Sequence, residues 1–199
     1  DREVPGIEEA KIRISIETMS KVFNACGLRM GALLTDNEYF YNKAVAANTT
    51  YLCPSVVDQH IVEVLAEESK EEIQNWISQQ REYYRRILKK LYDDFRKILP
   101  GVIVSLPEAS IYSVVDVRNI AKDDFSAEDF ITFCATEGAV DINGEKMTLL
   151  VSPMSGFYNT KTGEKNPGET QMRIACVLKE EEMNLVPTLF AELFKQYES

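Results

Sequence analysis

Hydrophobic and polar positions alternate through Lys11–Glu17 (KIRISIE), with Ile12, Ile14 and Ile16 on one face and Lys11, Arg13 and Ser15 on the other. A period of two is the mark of a strand, and the run reads as a buried one. Thr18–Ser20 make a short turn, and the apolar run Met30–Asp36 (MGALLTD) is short enough for a second strand. NEYFYNKAVAA then predicts a helix capped by Asp36 or Asn37. Ser55–Leu99 contains neither Gly nor Pro and reads as two helices or one long bent one, with Ser55 placed to cap the first. In its later part Tyr84, Leu88, Leu91, Phe95 and Ile98 recur at spacings of four and three, which predicts a helix packed on its own core by one apolar stripe. The stripe fades before Trp76, too early for a free-standing coiled coil. Pro100 and Gly101 end the helix.

Beyond Gly101 strands and helices alternate. VIVSL and SIYSVVDV read as strands, and SAEDFITFCATEGAV as a helix capped by Ser126 with Asp129 at its third position. TLLVSP and QMRIACVL are further strands joined by the polar loop NTKTGEKNPGET, and Glu180–Tyr197 form a last helix with a local irregularity at Pro187. The class is therefore α/β. A boundary near residue 80 separates a sheet fragment, residues 1–80, from a long helix and compact α/β domain, residues 81–199.

Composition narrows the function. The chain has 199 residues, 45% of them hydrophobic with both charge signs well mixed, as in a globular protein. A net charge of -10 argues against a nucleic-acid surface, and no apolar run approaches a membrane span. Cys26, Cys53, Cys134 and Cys176 show no paired spacing, and the single His60 completes no metal site with them. Reduced, mostly buried thiols in a cytoplasmic protein are expected. The chain starts at Asp1 without a methionine, which reads as an interior cut, whereas Ser199 reads as a natural end.

The candidate chemistry lies at Lys21. A lysine in a tight site near an arginine suffers desolvation and like-charge repulsion, so its neutral amine becomes easier to reach, as imine chemistry with a carbonyl cofactor requires. Thr18 and Ser20 offer hydroxyls, Arg29 a planar fork suited to phosphate, and Gly27 and Gly31 a close backbone approach. Residue by residue, a surface lysine beside a solvated arginine is the plainer account. As an ordered pattern, TMSKVFNACGLRMG resembles the cofactor-lysine signature of class I/II aminotransferases, pyridoxal-phosphate enzymes of fold type I that include aspartate aminotransferase. The matching positions are Thr18, Met19, Ser20, Lys21, Gly27, Arg29, Met30 and Gly31, and only Thr18 departs, from the usual Ser or Gly. The resemblance implies that Lys21 binds pyridoxal 5'-phosphate covalently and shuttles the substrate α-proton. It also implies that Arg29, Thr18 and Ser20 hold the phosphate.

The resemblance continues downstream. ANTTYLCPSVVDQHIVEVL is similar to a family segment in which an extended stretch and a proline precede a helix carrying Gln. In relatives that stretch reaches towards the neighbouring subunit's cofactor, which implies a homodimer. LPEASIYSVVDV resembles the first strand pair of the small domain, with Ala109 where the family usually has Gly, and LLVSPMSGFY a family turn in which Met154 replaces a glycine. The backbone near Met154 is therefore expected to run differently. Arg173, in QMRIACVL, stands where the family arginine clamps the substrate α-carboxylate; an edge-strand arginine paired with a nearby carboxylate is the plainer account. Tyr39, Tyr41, Tyr51 and Tyr158 read as amphipathic packing, His60 as structural or exposed, and Cys53 and Cys176 as small buried hydrophobes.

The resemblance implies the C-terminal half of such an enzyme: the end of the large cofactor domain, the linking helix and the small domain. The acid that meets the pyridine nitrogen, the ring-stacking aromatic and the phosphate loop lie upstream of the lysine in relatives, so the isolated chain is expected to be a poor catalyst. The expected reaction is amino transfer between an amino acid, aspartate foremost, and a 2-oxo acid. Two alternatives stand beside it: another fold-type I reaction (lyase, decarboxylase or synthase), and a non-catalytic α/β interaction module. Against the module, a drifted scaffold has little reason to keep three buried cations, Lys21, Arg29 and Arg173.

Overall fold

The alternating run forms strand β1 (Ile14–Thr18), which pairs antiparallel with β2 (Gly31–Thr35) from Ile14↔Thr35 to Thr18↔Gly31. The computed structural model describes residues 13–51, 54–161 and 163–199, so Lys11, Ile12 and Cys53 lie outside the described residues. It divides into two compact units, Asp1–Ser78 and Gln79–Ser199, with the division inside a long helix.

In the first unit the turn helix α1 (Met19–Val22) follows β1, and α2 (Glu38–Tyr51) and α3 (Val56–Glu63) follow β2. The caps are local and legible: Asn37 Oδ1 accepts the Phe40 N–H at 2.9 Å, and Ser55 Oγ that of Asp58 at 3.5 Å. Two expectations fail here. The residues between the predicted helix and Pro54, which the resemblance implies to be extended, belong to α2 as far as Tyr51, and the Thr49 and Thr50 hydroxyls bond back to carbonyls of their own helix. Strand β1 is also not buried: Ile14 and Ile16 are 46% and 78% exposed, and none of the unit's described residues is buried. Among the described residues the two strands pair only with each other, so no larger sheet surrounds them.

The second unit has a core. The helix α4 (Lys70–Ile98) carries the stripe into it, where Ile87, Leu88, Leu91 and Phe95 are buried while Ile98 stays 42% exposed. Gly101, at φ +94°, turns the chain out of that helix. The sheet that follows contains β3 (Ile103–Val104), β4 (Tyr112–Asp116), β7 (Ser152–Pro153) and β8 (Gln171–Ala175), antiparallel in the order β3-β4-β8-β7. Its core face presents Val104, Val115, Met172 and Ile174. Helices α5 (Ala127–Thr136), capped by Ser126, and α7 (Val186–Glu198) share that core. Phe190 lies at its centre, fully buried, with ring centroids 5.3 Å from Phe95 and 5.5 Å from Phe130 in edge-to-face contact.

Two elements of this unit differ from expectation. The segment predicted as one final helix is two, α6 (Glu180–Met183) and α7, and Pro187 sits in the first turn of α7. Proline costs nothing there, because the N–H it lacks has no partner in a first turn. A hairpin, β5 (Val140–Ile142) with β6 (Glu145–Met147), turns through Asn143 and Gly144, both at positive φ. Asn-Gly is a strong signal for such a turn.

Candidate active site

Thr18 is the last rung of the β1–β2 ladder, and its Oγ1 accepts the Ser20 N–H at 3.1 Å, capping α1. One step further the Met19 N–H donates to the Met30 carbonyl at 3.2 Å and closes residues 19–30 into a loop at the strand ends. Inside it the Phe23 and Ala25 N–H groups both reach the Met19 carbonyl at 3.3 Å, and Asn24 and Arg29 take left-handed φ values of 51° and 52°. Gly31 is needed bare, since a Cβ there would lie 2.7 Å from the Glu17 carbonyl oxygen. At Gly27 a Cβ meets nothing within 4 Å, so the close approach expected there is not found among the described residues. The Phe23 ring stacks on Trp76 at 5.4 Å and ties the loop to α4.

The closed loop therefore carries Thr18, Ser20, Lys21 and Arg29 together at one end of the strand pair. Arg29 donates from Nη1 to the Cys26 carbonyl at 3.1 Å. Lys21, Arg29 and Thr18 are exposed and Ser20 is half-buried, which corrects the expectation of buried cations at Lys21 and Arg29.

Arg173, in the second unit, has a different setting. It lies on β8, an interior strand, opposite Val114 of β4 and Ser152 of β7. Its guanidinium carbon sits 4.5 Å from the Tyr112 ring centroid and 4.9 Å from that of Phe157, so two aromatic rings attend one cation. Nε is buried with no hydrogen-bond partner, and no carboxylate among the described residues pairs with the side chain. The edge-strand ion pair does not occur.

Phe157 reaches Arg173 through the turn Ser155–Phe157 after β7. Met154 stands at φ −104°, an ordinary value that needs no glycine. The bare residue is instead Gly168, where a Cβ would fall 2.5 Å from the Met154 carbonyl. Asn166 fastens the contact, its Nδ2 donating to the Ser155 carbonyl at 2.9 Å and its Oδ1 accepting the Gly168 N–H at 2.8 Å. Similarly the left-handed residue near Ala109 is its neighbour Ser110, at φ 81°.

On the same sheet face as Arg173 lies a network that the sequence reading missed. Asp116 is buried; Oδ1 accepts from the Arg118 N–H at 3.0 Å and the Thr170 hydroxyl at 2.8 Å. Oδ2 accepts from Arg118 Nε at 2.7 Å, from Arg118 Nη2 and from Gln171 Nε2 at 3.0 Å. Burial pushes this carboxyl up, but the Arg118, Gln171 and Thr170 bonds outweigh it and hold it below the usual carboxylate range. Tyr158 donates to Gln171 Oε1 at 2.5 Å. Strand parity held the only clue, since Tyr112, Val114 and Asp116 share one face of β4.

The other singled-out residues are less organised. His60 is exposed beside Glu63 at 2.9 Å, and Tyr39, Tyr41 and Tyr51 are exposed. Cys26 is an exposed free thiol; Cys134 and Cys176 are free and buried, their thiols pushed up to about 11 by that burial.

Residues 3–185 match the family described as aminotransferase class I and II. Solved structures of similar fold include the α-aminoadipate aminotransferase LysN of Thermus thermophilus, at 18% identity and TM-score 0.70 over 92% of this chain and 42% of that one. An aspartate aminotransferase of Thermus thermophilus matches at 19% identity and TM-score 0.70, over 96% of this chain and 43% of its own. A kynurenine aminotransferase of Pyrococcus horikoshii matches at 18% and 0.69, over 94% and 41%. This chain thus spans less than half the length of the structures it matches. A comparison with curated proteins finds no match.

Proposed function

The chain belongs to the aminotransferase class I and II family, and we propose that it forms part of a pyridoxal-phosphate-dependent transaminase moving an amino group between an amino acid and a 2-oxo acid. In this reading residues 1–80 end the large cofactor-binding domain, and residues 81–199 supply the linking helix and the small domain. LysN was solved with a phosphopyridoxyl-leucine adduct, and the donor set of this chain suits the same cofactor. It offers an exposed primary amine, two hydroxyls and an arginine on one closed loop, and the bare Gly31 keeps that loop tight against β1.

Pyridoxal phosphate, when bound, supplies the electron sink for bonds breaking at the substrate α-carbon. Lys21 would hold the cofactor through its Nζ amine and, when that amine is free, would take and return the substrate α-proton. Arg29, with one Nη engaged with the Cys26 carbonyl, would offer the rest of its fork to the phosphate, with the Thr18 and Ser20 hydroxyls as further donors. Arg173 receives the substrate α-carboxylate and fixes the orientation of the α-carbon.

The observation that best supports this reading is the Arg173 site. A guanidinium attended by two rings, with a buried partnerless Nε and no carboxylate paired with it among the described residues, is built to take a planar anion from outside. The proposal extends to a homodimer, supported by the exposed apolar side chains Ile16, Tyr39, Tyr41 and Tyr51 of the first unit. It extends also to a cytoplasmic setting, in keeping with free Cys26, Cys134 and Cys176.

Steady-state turnover of the full-length protein, with aspartate as the first amino acid assayed, tests the reaction. Without a 2-oxo acid acceptor a transaminase stops after one amino-group transfer per cofactor, so sustained turnover needs the acceptor. Release of carbon dioxide or another fragment without acceptor would establish a decarboxylase or lyase. Unchanged cofactor binding and turnover in Lys21→Ala would remove Lys21 from the reaction and overturn this reading.

A further inference from the structure

The network around Asp116 bears on why Arg173 has no partner. Asp116 faces Gln171 across the β4–β8 ladder, and Arg173 faces Val114, so Asp116 and Arg173 are diagonal neighbours on one sheet face. Such positions lie roughly 7–8 Å apart, within reach of an arginine side chain. A buried carboxylate and a guanidinium so placed would ordinarily pair, because each is costly to leave unmatched. They do not pair, because both Asp116 oxygens are filled. Arg118 supplies its backbone N–H, Nε and Nη2, and Thr170 and Gln171 supply one donor each. A carboxylate has about four lone-pair sites, and none is left for Arg173. Tyr158 completes the arrangement by donating to Gln171 Oε1, which turns the amide so that its NH2 faces Asp116.

We propose that Arg118 is a positioning residue: by saturating Asp116 it keeps that carboxylate off Arg173, and so leaves the Arg173 guanidinium free for a ligand carboxylate. The value of this role rests on the reading of Arg173 as the carboxylate receptor. An internal carboxylate on a neighbouring strand competes at a high effective concentration, so a freed Asp116 weakens ligand binding without touching the ligand.

The test uses the full-length protein and the Arg173 Nε–Hε resonance in 15N NMR, assigned with Arg173→Lys. Without ligand, Arg118→Leu is expected to shift this resonance as Asp116 swings to Arg173, and Asp116→Asn/Arg118→Leu to return it to the wild-type position. Addition of sodium pyruvate is expected to move the wild-type resonance, to move that of Arg118→Leu with an affinity about tenfold lower, and to recover in the double variant. An Arg173 resonance unchanged in ligand-free, folded Arg118→Leu overturns the inference whatever pyruvate does. A wild-type resonance indifferent to pyruvate overturns the receptor reading separately. If Arg118→Leu does not fold, Arg118→Gln, which keeps a polar side chain but lacks the Nε and Nη2 donors of the guanidinium, is read by the same criteria.

Discussion

Replacing Phe157 or Tyr112 by leucine asks how much of the Arg173 site is built by its rings. Leucine keeps apolar bulk but removes the negative ring face that attracts the cation. Phe157 is 59% exposed and its centroid is 4.9 Å from the guanidinium carbon, which places its contact at the weak end, about 0.5–1 kcal/mol. Tyr112 is half-buried and closer, at 4.5 Å, where about 1–2 kcal/mol is the appropriate range. By the usual conversion these correspond to roughly 2–5-fold and 5–30-fold weaker carboxylate binding. Because both rings hold one cation, the double variant should lose less than the product of the two. The carboxylate is held alike before and during the reaction, so the loss should appear as a raised KM for the 2-oxo acid with kcat little changed. Phe157→Tyr, which keeps the ring face, should behave as wild type. Folded leucine variants of the full-length enzyme with unaltered KM, or with the whole loss in kcat, would refute the view that the rings hold the clamp in place.

Other outcomes follow from the same structure. Phe190→Ala removes the ring at the centre of the core, fully buried against Phe95 and Phe130, and should cost about 3–5 kcal/mol in denaturant unfolding of the chain. The Asp116 carboxyl titrates below its unfolded value, so its contribution is complete above the unfolded value of about 4 and fades as pH falls through the lower folded one. Acid unfolding curves should therefore lose part of their slope in Asp116→Asn. Cys26 should react with a thiol reagent in the native chain, while Cys134 and Cys176, buried and held protonated to about 11, should be labelled only on unfolding; peptide mapping distinguishes them.

Features set by neighbours in sequence were legible. The Ser126 and Ser55 caps, and the stripe from Leu88 to Phe95, depend on a few residues each and stand where the pattern placed them. The Asn143-Gly144 turn and the first-turn place of Pro187 are local signals of the same kind. Exposure was not legible, because the alternation around Ile14 and Ile16 says that a face wants cover, not that the chain provides it. Nor was the setting of Arg173, which Tyr112 and Phe157 build from three separate segments. The Asp116–Gln171 contact joins residues 55 positions apart and depends on a pairing that no short window reveals. The resemblance supplied the motif around Lys21, whereas local physics alone favoured a surface lysine.

Whether Lys21 carries the cofactor can be read chemically. The full-length protein, supplied with pyridoxal phosphate, is reduced with borohydride and digested, and the peptide containing Lys21 is weighed by mass spectrometry. A phosphopyridoxyl group on Lys21 is the predicted result, and it would fix cofactor, lysine and reaction family together. An unmodified Lys21 in folded protein with excess cofactor would contradict the account and leave the loop an inherited scaffold.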